Sequence, residues 1–159
     1  MTHPPLLQRI QSLWTPIARL LDLMRPAAVL GARLYVAQVF VLSGLTKLRD
    51  WDTTLLLFTE EYHVPLLPPA VAAVAGTAGE LALPVLLTLG LAGRFAALGL
   101  SVVNGVAVLS LAEIAPAALQ LHVTWGVLLG ALVFHGMDRW SLDHRLALSR
   151  RPGSCLTAS

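Results

Sequence analysis

Apolar residues fill four long stretches of the chain, at about 27–46, 68–91, 95–113 and 116–135. Each is near the ~20 helical residues needed to cross a ~30 Å hydrocarbon core. The runs are too long and continuous for the ~10-residue alternating strands of a membrane barrel. Only Leu91-Ala92-Gly93-Arg94 separates the second stretch from the third, and Ile114-Ala115-Pro116 the third from the fourth. Such short turns force antiparallel neighbours. The pattern predicts an all-α membrane protein, an antiparallel bundle of four transmembrane helices.

Two further helices are expected outside these spans. In residues 1–26, Leu6, Ile10, Leu13, Ile17, Leu20 and Met24 recur at steps of three and four, with Gln8, Arg9, Gln11 and Arg19 between them. That is an amphipathic helix suited to a membrane surface, with a break expected at Pro16. It lacks the compact apolar run of a cleaved signal. Between the first two spans, Trp51, Leu55, Phe58 and Tyr62 form a stripe, Asp50 or Asp52 can cap its start, and Pro65, Pro68 and Pro69 close it. This predicts a short interfacial helix that could cover one mouth of the bundle. Residues 27–143 form the membrane domain, and 144–159 are expected to be a disordered tail.

Composition agrees. Of 159 residues, 56% are hydrophobic and 13% charged, and mean hydropathy is +0.72. A soluble domain carries about 25% charged residues. The eleven Lys and Arg residues are placed unevenly. Arg9, Arg19, Arg25, Arg33, Arg94, Arg139, Arg145, Arg150 and Arg151 fall on one side of a four-pass topology, and Lys47 and Arg49 on the other. That bias places both termini in the cytoplasm and explains the basic balance without nucleic acid. The one cysteine, Cys155, permits no internal disulfide and no thiol relay within the chain.

With so little charge, each ionisable group inside a span is a candidate site. Glu80 lies twelve residues from Pro68 and eleven from Leu91. A lone carboxyl at that depth would be mostly protonated, because desolvation penalises its charged form. Pro84 cannot donate to the Glu80 carbonyl, and Ala73 and Gly76 on the same face allow close approach of another helix. Glu80 is therefore the candidate catalytic, proton-handling group, and Asn104 on the third span is its expected interhelical partner. On the first span Arg33, Ala37, Phe40, Gly44 and Lys47 form one stripe facing the bundle, with Lys47 at the outer rim. Glu113 and His122 are expected to converge with Lys47 at the outer side, with Trp125 one turn deeper. Gly126-x-x-x-Gly130 suggests tight packing. The charge-pairing set is Arg33, Arg94, Glu113 and Asp143. The five histidines lack metal-ligand spacing, so no metal is expected. No covalent cofactor motif is present.

Taken together, several of these segments resemble the DoxX family of small four-helix membrane proteins. Arg33, Phe40 and the run Gly44-Leu45-Thr46-Lys47-Leu48 resemble its first helix. Glu80 matches its intramembrane Glu, and Leu89-Gly90-Leu91-Ala92-Gly93-Arg94 its Leu-Gly-Leu-x-x-Arg turn. Arg139-Trp140-Ser141-Leu142-Asp143 is similar to its closing motif. His135-Gly136-Met137-Asp138 stands where the family often has Gly-Pro-Gly. The resemblance implies a membrane subunit of a quinone-linked redox system, tied to sulfur, thiol or oxidative-stress chemistry. It would act in a bacterial cytoplasmic membrane with a redox partner protein or as a homo-oligomer. A quinone binds non-covalently, in an apolar slot with hydrogen-bond donors for its carbonyls. Lys47, Asn104, His122, Trp125 and a protonated Glu80 are the candidate donors. A membrane anchor or assembly scaffold is the alternative. A small proton or solute carrier ranks third, because the two halves of the chain show no repeat.

Overall fold

A computed structural model describes residues 6–135 and Ser141, with side chains from Leu13 onward. Among the described residues five helices follow one another: α1 (Leu6–Arg49), α2 (Trp51–Glu60), α3 (Pro69–Leu89), α4 (Gly93–Ser110) and α5 (Pro116–His135). Four of them, α1, α3, α4 and α5, are long and apolar enough to span a membrane. Among the described residues there is no strand, only an isolated bridge between Tyr62 and Leu111. The chain is an all-α membrane bundle, as expected.

One boundary differs. The N-terminal amphipathic stretch and the first span form one helix of 44 residues that continues through Pro16 and Pro26. Each proline removes only the bond to the carbonyl four residues back, at Ser12 and Asp22, and the flanking turns carry the helix on. At 1.5 Å per residue α1 is about 66 Å long, twice the hydrocarbon core. Its first part, including Leu13, Trp14, Ile17 and Met24, is exposed and makes no part of the core. The expected tail and Asp143 lie outside the described residues.

Around the bundle α1 packs on α3, α3 on α4, and α4 on α5; α5 meets α1 more loosely. The core joins Val36 and Phe40 of α1, Leu87 of α3, Ala96, Ala97 and Leu100 of α4, and Leu129 and Leu132 of α5. Burying each large side chain contributes about 1.5–3 kcal/mol in water. In lipid, close fit between small residues matters more. Gly44 shows this: a Cβ there would stand 2.8 Å from the Leu81 side chain.

The turns obey local chemistry. Gly90 ends α3 with a left-handed φ of 66°, and Leu91 N–H reaches back to the Leu86 carbonyl at 3.0 Å. Asp50 caps α2: its carboxylate accepts from Thr53 N–H at 3.0 Å and from the Thr53 hydroxyl at 2.7 Å. Those two bonds hold the Asp50 carboxyl below its ordinary range. The short helix expected between the first two spans is thus present, and its stripe faces inward as the spacing predicts. Phe58 packs on Ala72 and Ala73 of α3, flanked by Trp51, Leu55, Tyr62 and Val64.

Candidate functional site

The pairing at the centre of the bundle follows from where α1 stops. α1 ends at Arg49, and α2 turns back against the N-terminal half of α3, with Phe58 3.7 Å from where a Cβ on Gly76 would stand. Lys47, two residues from that end, therefore faces the middle of α3 instead of an open rim. Its ammonium donates to both Glu80 carboxylate oxygens, at 2.7 Å (Oε1) and 2.5 Å (Oε2). The third proton goes to Ser43 Oγ at 3.0 Å. Glu80 is eleven residues into α3, about 16 Å along its axis. It is 7% exposed. Glu80 is thus not a lone carboxyl: it is half of the only salt bridge among the described residues. The Thr54 hydroxyl of α2 donates to the Lys47 carbonyl at 3.0 Å, which seals the end of α1 above the pair.

A cavity of about 200 Å³ lies against this pair. Its walls are apolar: Phe58 of α2, Ala72 and Gly76 of α3, Val103 and Val106 of α4. Lys47 and Glu80 stand at one side, and Tyr62, Val64 and Leu67 line the side formed by the connection after α2. His63 N–H donates to the Ser110 carbonyl at 2.8 Å, tying that connection to the end of α4. Ala75 and Val102 also line the cavity and are exposed, so it reaches the outer surface between α3 and α4. The Tyr62 hydroxyl has no hydrogen-bond partner among the described residues. Burial first, then the charges of Glu61 and Glu80, hold its phenol above the usual range. It remains a protonated donor throughout the neutral range. Tyr62 appeared in the sequence only as part of the α2 stripe; no spacing marked its hydroxyl. One turn from Glu80, Thr77 Oγ1 is buried without a partner.

The other expected donors form a separate group. Asn104 does not pair with Glu80. Its amide donates to the His122 carbonyl at 3.0 Å, and its Oδ1 is 2.8 Å from His122 Nδ1. Both are satisfied by each other across α4 and α5. His122 stacks edge-on against Trp125, centroids 5.0 Å apart, and Trp125 edge-on against Phe40 at 6.2 Å. The Trp125 indole N–H points to Tyr35 of α1 at 3.4 Å, a weak bond. None of Asn104, His122 and Trp125 lines the cavity. The expected meeting of Lys47, Glu113 and His122 does not occur. Glu113 is exposed in the turn after α4, which ends at Ser110, because Lys47 is taken by Glu80 and His122 by Asn104. The expected glycine interface on α5 is only half used: Gly126 faces the Asn104 amide, and nothing stands within 4 Å of a Cβ on Gly130.

At the opposite end of the bundle, Arg33 is 3% exposed. A Cβ on Gly90 would stand 3.3 Å from Arg33 Nη1 and 2.7 Å from Ser141 Cβ. Only glycine fits there, for space as well as for its positive φ. The Arg of the first helix, the glycine turn and the closing Ser thus meet. Arg94 is exposed at the start of α4. No group of three His, Cys, Asp or Glu among the described residues could hold a metal.

Four apolar spans around an intramembrane ion pair define an integral, multi-pass membrane protein. The DoxX family model matches residues 28–113, just over half of the chain, and the chain belongs to that family. The match stops before α5 and so leaves out the closing motif. No curated protein and no solved structure matches the chain.

Proposed function

We propose that the protein is the membrane subunit of a quinone-linked redox system, with the quinone head in the cavity beside Lys47 and Glu80. One observation carries the reading. An apolar cavity that reaches the outside of the bundle ends on a charged pair whose carboxylate, Glu80, is at mid-helix depth. A quinone head is a flat apolar ring with carbonyls, and a site for it needs apolar walls and a few aimed donors. Here Phe58, Val103 and Val106 supply the walls. The Tyr62 hydroxyl supplies a free donor, and Lys47 a cationic one if it releases Ser43. Quinone chemistry accepts two electrons and two protons. A redox partner protein must bring the electrons, since the chain holds no paired cysteines. Glu80 is the group able to hold a proton beside the ring, with the Lys47 ammonium fixing its position.

By the bias of Lys and Arg the Lys47 end faces outward and both termini face the cytoplasm, in a bacterial cytoplasmic membrane. The test is extraction of quinone from the purified wild type, Glu80→Gln and His122→Ala. We expect quinone in the wild type, loss in Glu80→Gln, and retention in His122→Ala because that side chain is outside the cavity. No quinone in the wild type overturns the reading.

A second reading, a membrane anchor or scaffold for a partner, is favoured by Lys47 itself. Its three protons are all used, as in a structural tie between α1 and α3. In that case substitution lowers abundance and stability with no separate loss of ligand.

A further inference from the structure

A second cavity of about 200 Å³ lies at the other end of the bundle, between α1 and α5. Its origin is local. Stripes at matching steps face each other: Arg25, Ala28, Val29 and Ala32 on α1, and Leu128, Ala131, Leu132 and His135 on α5. Leu132 is buried and forms the floor; Val29 and Leu128 lean on the core. The alanines are too short to close the gap. Ala28 and Ala131 are exposed, so the groove opens to the outside of the bundle.

Its polar groups are confined to one end. Arg25 and His135 stand there, both exposed. The His135 ring donates through Nδ1 to the Ala131 carbonyl at 2.9 Å, so Nε2 can donate to an anion only in the imidazolium form. Among the described residues no carboxylate lines the groove. This end of the bundle also carries Arg33 and the first residues of α4 with Arg94. A groove that is apolar along its length and cationic at its mouth calls for an anion joined to a hydrocarbon chain. Basic pockets between membrane helices bind lipid phosphates in this way.

We propose that this groove binds an anionic phospholipid, with its phosphate on Arg25 and an acyl chain along Ala28, Ala32 and Ala131. The site is separate from the cavity at Lys47 and does not depend on what that cavity binds. Arginine suits the phosphate because its planar fork pairs with two oxygens at once.

The test is native mass spectrometry of the full chain in detergent. Phosphatidylglycerol and phosphatidylcholine with the same acyl chains are added in separate samples. We expect phosphatidylglycerol to be retained at least fivefold over phosphatidylcholine. Arg25→Gln should bring it to the phosphatidylcholine level, and Arg25→Lys should keep most of the preference. Ala131→Leu, which fills the groove, should lower retention of both lipids. Inorganic phosphate at millimolar concentration should not displace phosphatidylglycerol. Equal retention of the two lipids overturns the proposal, as does unchanged retention in Arg25→Gln or in Ala131→Leu. Displacement by phosphate alone would make the site one for free anions and also overturns it. Arg25 is exposed, so its variants test the site without disturbing the core.

Discussion

The polar pairs Lys47–Glu80 and Asn104–His122 both cross helix interfaces in this bundle, and they differ in kind. Lys47 and Glu80 join α1 to α3 as full charges beside a cavity. Asn104 and His122 join α4 to α5 as a closed, reciprocal pair away from that cavity. Interhelical hydrogen bonds between neutral groups contribute about 0.6–2 kcal/mol in membrane proteins, enough to fix a register. A charge at the helix centre costs several kcal/mol to place there. A bundle needing only glue has the cheaper solution at hand and uses it on α4 and α5. That the costlier pair stands where the apolar cavity ends is why we propose the function for it.

The largest expected effect comes from separating the charges. Lys47→Met or Glu80→Leu alone leaves an unpaired buried charge and should destabilise by about 3–5 kcal/mol. The double variant should recover to within about 1–2 kcal/mol of wild type, measured by unfolding in detergent. If the singles cost no more than Asn104→Ala, the two pairs are equivalent and the contrast fails.

Glycine substitution comes next. At Gly44 an added Cβ would stand 2.8 Å from Leu81 and 3.2 Å from the Glu80 Cβ. Gly44→Ala should cost about 1–3 kcal/mol through overpacking. Gly126→Ala meets only the Asn104 amide, at 3.4 Å, and its thermal unfolding should stay near wild type. The reverse order would mean that α4 and α5 form the tighter interface. Asn104→Ala should cost about 1 kcal/mol, with quinone content unchanged.

The smallest effect concerns the cap on α2, the helix that covers the charged pair. The hydrogen bonds from Thr53 hold the folded-state Asp50 carboxyl below its ordinary value of 3.8. Its contribution is therefore complete above that unfolded value and is lost as pH falls through the lower folded one. Following the Thr53 amide by NMR should give a midpoint below 3.8. A midpoint at or above 3.8 would show that the cap is not formed.

Much of this was legible in the sequence. Unbroken apolar runs define the spans because no water satisfies backbone groups in lipid. The α2 stripe and its Asp50 cap are local, and both stand where the spacing puts them. What failed was depth. Counting residues from each helix end assumes that α1 and α3 end at the same level. α1 instead stops beside the middle of α3, with α2 filling the remainder, so Lys47 meets Glu80. The Asn104–His122 pair did have a signal. Each lies nine residues from Glu113, at the turn, and residues equally far from a short antiparallel turn face one another. The continuity of α1 through two prolines had none, since a single lost hydrogen bond does not decide whether the next turn forms.

The most direct measurement is the quinone content of the stable double variant Lys47→Met/Glu80→Leu. We predict that the wild type carries quinone and that the folded double variant carries none. A folded double variant that keeps the wild-type quinone content would show that the pair is only a tie between helices, and would contradict the site.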